Sequence, residues 1–229
     1  GEITDLKKEM KSEPHPLAYD LTELQRDANK RYGYSAKQTL SIMQSLYERH
    51  KILTYPRTDS RHITADIVPT LPDRLKSIAI GPYAAMAQNL LRGKINTTSR
   101  LVDNSKVSDH HAVVPTVSSK DADISALPAG ERNILQLIAR QVLCAVSEAH
   151  RYAETTVSVE CGGNSFAAKG KTVLVPGWKQ YIPSEHEEKP LPELTEGQTV
   201  PISGVTVKEG KTTPPKHYTE DTVLAAMEV

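Results

Sequence analysis

Cysteine is scarce: the 229 residues contain two, Cys144 and Cys161. Two so widely separated make neither a disulfide framework nor a metal-ligand pattern, and fit packing roles in a reducing, cytoplasmic setting. Excess charge is missing as well. The 28 Lys and Arg balance 28 Asp and Glu, which argues against a chain that coats nucleic acid along its whole surface. Long apolar runs are absent; hydrophobic residues make up 38% and the mean hydropathy is −0.44, so no membrane span is expected. Residues 1–16 are polar and carry both charge signs, unlike a secretory signal. No repeat or low-complexity block appears. The chain opens without methionine at Gly1-Glu2-Ile3 and stops inside a helical pattern at Ala226-Met227-Glu228-Val229, so an excised fragment is expected. No His, Cys and carboxylate set has metal-site spacing, and no metal ligand is assigned. What remains is long enough for a real core in one domain or two.

The densest chemistry lies in Tyr55-Pro56-Arg57-Thr58-Asp59-Ser60-Arg61. Pro56 fixes its own φ and pushes Tyr55 toward an extended backbone, a stiff mount for a side chain that must meet an in-line trajectory. Arg57 offers a planar fork for two phosphate oxygens. A tyrosine oxygen beside such a group points to phosphoryl transfer with Tyr55 as nucleophile. The same string also reads as a Tyr-Pro turn with an Asx turn and a helix cap, which is purely structural. Charge supports the first reading. Between Lys30 and Arg61 stand seven cations (Lys30, Arg31, Lys37, Arg49, Lys51, Arg57 and Arg61) against Glu48 and Asp59, while Glu185, Glu187, Glu188, Glu193 and Glu196 cluster elsewhere. That basic stretch would draw a phosphate backbone, or serve simply as a solvated face.

Leu53-Thr54-Tyr55-Pro56-Arg57-Thr58-Asp59-Ser60 resembles the active-site signature of type IA DNA topoisomerases, and its proline is similar to the topoisomerase III branch. Asp109-His110-His111-Ala112-Val113-Val114-Pro115-Thr116 resembles that branch's downstream histidine motif. Pro16 to Glu48, with Tyr19-Asp20-Leu21-Thr22-Glu23-Leu24-Gln25 and Gly33-Tyr34-Ser35-Ala36-Lys37, resembles the segment leading to the tyrosine. The resemblance covers essentially the whole chain. It implies a mixed α and β fold, with a helical active-site domain inserted into an antiparallel β arch of a toroidal enzyme. On that pattern residues 1–16 and 151–213 are the two arch legs, 17–150 the helical insert, and 214–229 the start of a following helical domain.

The same resemblance implies cleavage and rejoining of single-stranded DNA through a 5′-phosphotyrosyl bond, without ATP. Tyr55, Arg57 and His110 would be catalytic. The DNA-binding candidates are Lys37, Thr58, Asp59, Ser60, Arg61 and His111. Thr58, Asp59 and Ser60 also suit a turn that presents Arg57, and His111 suits orientation of its loop. Mg²⁺ would be held by an acidic N-terminal domain that is not in this chain. The partners expected are single-stranded DNA and the remaining domains of the same enzyme, acting on nucleoid or plasmid DNA, with no membrane. Two other classes stay open: a non-catalytic single-strand-binding or helix-turn-helix module, and another tyrosine transesterase. A relaxase wants a three-histidine cluster and a recombinase several Arg and His around a late tyrosine, and neither pattern is visible.

Coarse patterning predicts the elements. Thr22-Glu23-Leu24-Gln25 reads as a capping box opening a helix that stops near Gly33. Ser35-Ala36-Lys37-Gln38 opens a second, with Leu40, Met43, Leu46 and Tyr47 on its apolar face. An extended run over His50–Tyr55 follows, then a short helix capped by Ser60 or Thr64. Helices are predicted over 72–80, 83–91 and 128–150, the last burying Ile134, Leu135, Ile138, Val142, Ala145 and Val146. Residues 1–16 read as a connector or strand end. Strands are predicted over 155–161, 166–170, 172–175 and 200–208, with a turn at Gly162-Gly163 and an exposed acidic loop over 184–196.

Overall fold

The computed structural model describes residues 1–79, 83–182 and 190–228. The chain forms two compact units, one from residues 1–14 and 149–216, the other from 15–148 and 217–229. In chain order the second unit is inserted between the first two strands of the first.

The first unit is a three-stranded antiparallel sheet of β1 (Glu2–Glu13), β2 (His150–Cys161) and β3 (Asn164–Val175), in the order β1-β2-β3. Gly162 and Gly163 have φ of 58° and 76°. Both central residues of a two-residue hairpin need positive φ to match the strands' twist, which is why glycines close β2 onto β3. Residues 166–170 and 172–175 belong to one continuous strand, and β2 begins five residues earlier than its alternation suggested. Gly170 is required by close approach: a Cβ there would lie 2.6 Å from Leu191 Cγ and 2.7 Å from the Leu191 nitrogen. The strand expected over 200–208 does not form. Pairing ends with Thr199, which bridges to Glu2, and Val200, which exchanges hydrogen bonds with Gly1 at 2.8 Å; Val205 and Val207 stay 85% and 86% exposed, so their alternation has no ladder partner among the described residues and nothing to cover. Of the expected acidic loop, Glu185, Glu187 and Glu188 lie outside the described residues; Glu193 and Glu196 are exposed.

The second unit is helical. Its elements are α1 (Leu21–Tyr32), α2 (Ala36–Gln44), α3 (Leu71–Ser77), α4 (Ala84–Arg92), α5 (Ala129–Ala145) and α6 (Glu220–Met227). The α1 cap is Asp20, not Thr22; its carboxylate accepts the Glu23 N–H at 2.8 Å. The side chain two residues earlier wins because the helix starts at Leu21, which puts Asp20 at the N-cap and Thr22 inside the first turn. Gly33 closes α1 with φ 69° and donates to Asn29 O, and Ser35 caps α2 through the Gln38 N–H. No α-helix follows Ser60 or Thr64; turns and a 3₁₀ segment (Val68–Thr70) lead into α3. The residue expected to end that helix, Ile80, is outside the described residues.

Leu24, Met43, Leu46, Ile134, Ile138 and Leu143 are fully buried and join α1, α2 and α5 into a core. Each such side chain contributes about 1.5–3 kcal/mol of transfer free energy. Cys144 is buried among them, and burial pushes its thiol up to about 12, consistent with an inert packing residue. Arg140 is buried too, 3.3 Å from Asp27, which also accepts the Tyr19 hydroxyl. This charge pair ties α5 to α1. The helix α6 packs on α1, where Asp221 meets Arg26 at 3.0 Å.

Candidate active site

Three separate stretches of the helical unit are stitched together by backbone hydrogen bonds. Thr54 N–H donates to Val114 O and Thr116 N–H to Ile52 O, both at 3.0 Å, so 52–54 runs beside 114–116. Ala112 N–H reaches His62 O, Val113 N–H reaches Tyr19 O, and Leu21 N–H reaches Thr58 O. The ladder stops at one bridge, Leu53 to Pro115, because the N–H groups that would extend it are spent elsewhere: Val114 N–H on Thr54 Oγ1 and Ile52 N–H on Leu46 O. The extended run expected over His50–Tyr55 is thereby shortened to 52–54. The Thr54 hydroxyl locks the register, accepting from Val114 N and donating to Ala112 O.

This lattice brings Tyr55 and His110 together. Their ring centroids are 4.2 Å apart at 38°, and Tyr47 meets the Tyr55 ring edge-on at 5.5 Å and 84°. Two open clefts flank His110. One is lined by Thr54, Tyr55, Thr64, Val107 and His111; the other by Leu21, Thr22, Arg57, Thr58 and Asp59; Ser108, Asp109 and His110 belong to both. Tyr55 and Arg57 therefore line adjoining clefts that share His110. Arg57 is exposed, and its guanidinium has no hydrogen-bond or ion-pair partner among the described residues. A cation left unpaired beside a tyrosine is prepared for an anion from outside.

The other expected residues divide by what their side chains already hold. Thr58 and Ser60 are buried. Thr58 Oγ1 donates to His110 O at 2.7 Å and accepts from Ser60 N at 3.1 Å, while Ser60 Oγ donates to Lys106 O at 2.7 Å. The turn that presents Arg57 is thus built by the Thr58 hydroxyl rather than by Asp59, whose carboxylate stays exposed at the cleft. Thr58 also pins the backbone of His110, so one side chain fixes both catalytic candidates. Arg61 is turned inward; its Nε donates to Ala18 O at 3.2 Å and Nη1 lies 3.7 Å from Glu23. Lys37 is exposed on the first turn of α2 and lines neither cleft. His111 Nδ1 is 2.7 Å from Ala112 O, and burial holds its imidazole below the usual range. A neutral ring donating from Nδ1 has a lone pair at Nε2 and no proton there for a phosphate.

Sequence reasoning did not single out Tyr47, Thr54, Thr64 or Ser108 for the site. The spacing of Tyr47 suits the apolar face of the second helix; it lies in a π-turn, Ser45–Arg49, and its contact with Tyr55 is a tertiary one that spacing does not reveal. Among the described residues no three His, Cys, Asp or Glu side chains gather to hold a metal ion. The carboxylates at the clefts, Asp59 and Asp109, do not fit such a site, and no step below passes through a metal held by this chain.

Comparison with known proteins gives this arrangement its class. Residues 1–229 match the family model described as DNA topoisomerase, and the chain belongs to that family, on the topoisomerase III branch of the type IA enzymes. It is 45% identical over 233 residues to DNA topoisomerase 3 of Bacillus licheniformis, covering 99% of this chain and 32% of that protein. It is 44% identical over 234 residues to DNA topoisomerase 3 of Bacillus subtilis, with the same coverage. The chain thus spans about a third of these curated relatives. Full-length topoisomerase I from Thermotoga maritima shares the fold, with a TM-score of 0.76 at 21% identity over 99% of this chain and 37% of that one.

Proposed function

We propose that this chain carries the nucleophile of a type IA topoisomerase acting on single-stranded DNA. The observation that carries the reading is the convergence of Tyr55, His110 and an unpartnered Arg57 on two adjoining clefts. The Tyr55 oxygen attacks a phosphodiester, forming a 5′-phosphotyrosyl bond and releasing a 3′-hydroxyl. The reverse attack reseals the strand, and the bond energy is kept, so ATP is not consumed. Arg57 grips the non-bridging oxygens as charge builds on the phosphate, and His110 donates to the same phosphate or its neighbour. Thr58 and Ser60 shape the loop rather than bind DNA. His111 anchors its strand. Lys37 and Arg61 act on the DNA through charge alone, and the Asp59 carboxylate at the cleft accepts from sugar or base donors rather than meeting phosphate.

Residues 1–16 and 151–213 act as the two legs of a β arch, 17–150 as its helical insert, and 214–229 as the start of a further helical domain. Mg²⁺ belongs to this proposal as an ion held by residues outside the chain, on the remaining domains of the enzyme. Nothing in the described residues is long and apolar enough to cross a membrane as a helix.

Two results test the reading. The 229-residue chain alone is expected to bind labelled single-stranded DNA weakly, with affinity falling steeply as salt rises, and to form no denaturant-stable adduct with or without Mg²⁺. An adduct formed by this chain alone would show that it needs no facing domain. In the full-length enzyme, His110→Ala is expected to slow cleavage by about 10²-fold, the usual cost of one lost transition-state hydrogen bond. An unchanged single-turnover cleavage rate would reduce His110 to a ring that packs against Tyr55.

A further inference from the structure

The segment just before the nucleophile carries two irregularities. A π-turn occupies Ser45–Arg49 at the end of α2, with His50 N–H donating to Ser45 O at 3.1 Å. Lys51 follows with φ 59°, the one non-glycine residue with positive φ among those described. The buried carboxylate of Glu131, on α5, then ties the turn down: Ser45 Oγ donates to Oε1 at 2.7 Å, and His50 Nε2 lies 3.0 Å from Oε2. Inserted residues and left-handed non-glycine backbone are strained, and persist where the surroundings impose them.

Tyr47 lies inside this π-turn, and its ring stands edge-on to Tyr55 on one side with Lys51 Nζ 5.9 Å from its centroid. His110 stacks on the Tyr55 ring at 4.2 Å. Two ring contacts therefore fix the plane of the Tyr55 phenol, and with it the line along which its oxygen points. We propose that Tyr47 is a positioning residue for Tyr55, presented by the π-turn and anchored through Glu131. The proposal rests on Tyr55 being the nucleophile.

Its test is single-turnover cleavage of a labelled single-stranded oligonucleotide by the full-length enzyme at saturating DNA. Tyr47→Phe keeps the ring edge and is expected to cleave within about twofold of wild type. Tyr47→Leu and Tyr47→Met remove the ring but keep apolar volume, and are expected to slow cleavage about tenfold or more, since misorientation is paid in rate. Their Kd for single-stranded DNA and their melting temperature should match wild type. Should the leucine variant misfold, the methionine variant decides. Wild-type rates in the folded Leu or Met variant, an equal loss in Tyr47→Phe, or rate, affinity and melting temperature falling together would each overturn the proposal. A wild-type enzyme that forms no adduct at Tyr55 would instead remove the nucleophile assignment beneath it.

Discussion

Tyr55→Phe is expected to abolish covalent attachment of DNA to the full-length enzyme while leaving single-strand affinity nearly unchanged. The phenol oxygen is the only atom deleted. The ring that Tyr47 and His110 grip remains, so the loop, the two clefts and Arg57 keep their places. Affinity should survive because it comes from phosphate contacts and ring faces, which the substitution spares. Rate should not, since no hydroxyl is left to form the phosphoester. The check is a denaturing gel after incubation with end-labelled single-stranded DNA, beside a filter-binding curve. Residual adduct mapped to another tyrosine, Tyr47 above all, would refute the assignment.

Arg57→Ala is expected to lower the cleavage rate by orders of magnitude, and Arg57→Lys to restore little of it. Among the described residues this guanidinium holds no protein partner, so its removal strands no buried acceptor and should not unfold the loop, which Thr58 and Ser60 maintain. The loss would therefore report on chemistry. Lysine replaces the charge but not the planar fork, and two phosphate oxygens developing charge together need both prongs. Burst kinetics on a short oligonucleotide distinguish the outcomes. A lysine variant at wild-type rate would show that a point charge suffices.

Where a sequence segment carried its own local signal, the structure follows it closely. Gly33, Ser35 and the apolar stripe of α5 set helix ends and a buried face that spacing alone indicates, and Gly162-Gly163 marks the hairpin. The strand β1 was hidden because seven of its twelve residues are charged. It becomes a strand by pairing with β2, nearly 150 residues later, and pairing of that kind leaves no local trace. The reverse holds for 201–208, where alternation exists without a ladder partner among the described residues. In the site, the order of the two motifs sufficed to bring Tyr55 and His110 together. Which hydroxyls were free was not legible, because Thr58 and Ser60 are consumed by carbonyls of His110 and Lys106, some 50 residues away. Nor was the role of Tyr47, since the π-turn that carries it is tied down by Glu131 on α5.

The central claim is that the oxygen of Tyr55 becomes bonded to DNA. The most direct measurement is to trap the full-length enzyme on single-stranded DNA with denaturant, digest both components, and locate the nucleotide-bearing peptide by mass spectrometry. The account predicts one modified peptide, containing Leu53-Thr54-Tyr55-Pro56-Arg57, with the tyrosine joined to a 5′-phosphate. A nucleotide on any other residue, or a 3′-phosphate at Tyr55, would contradict it.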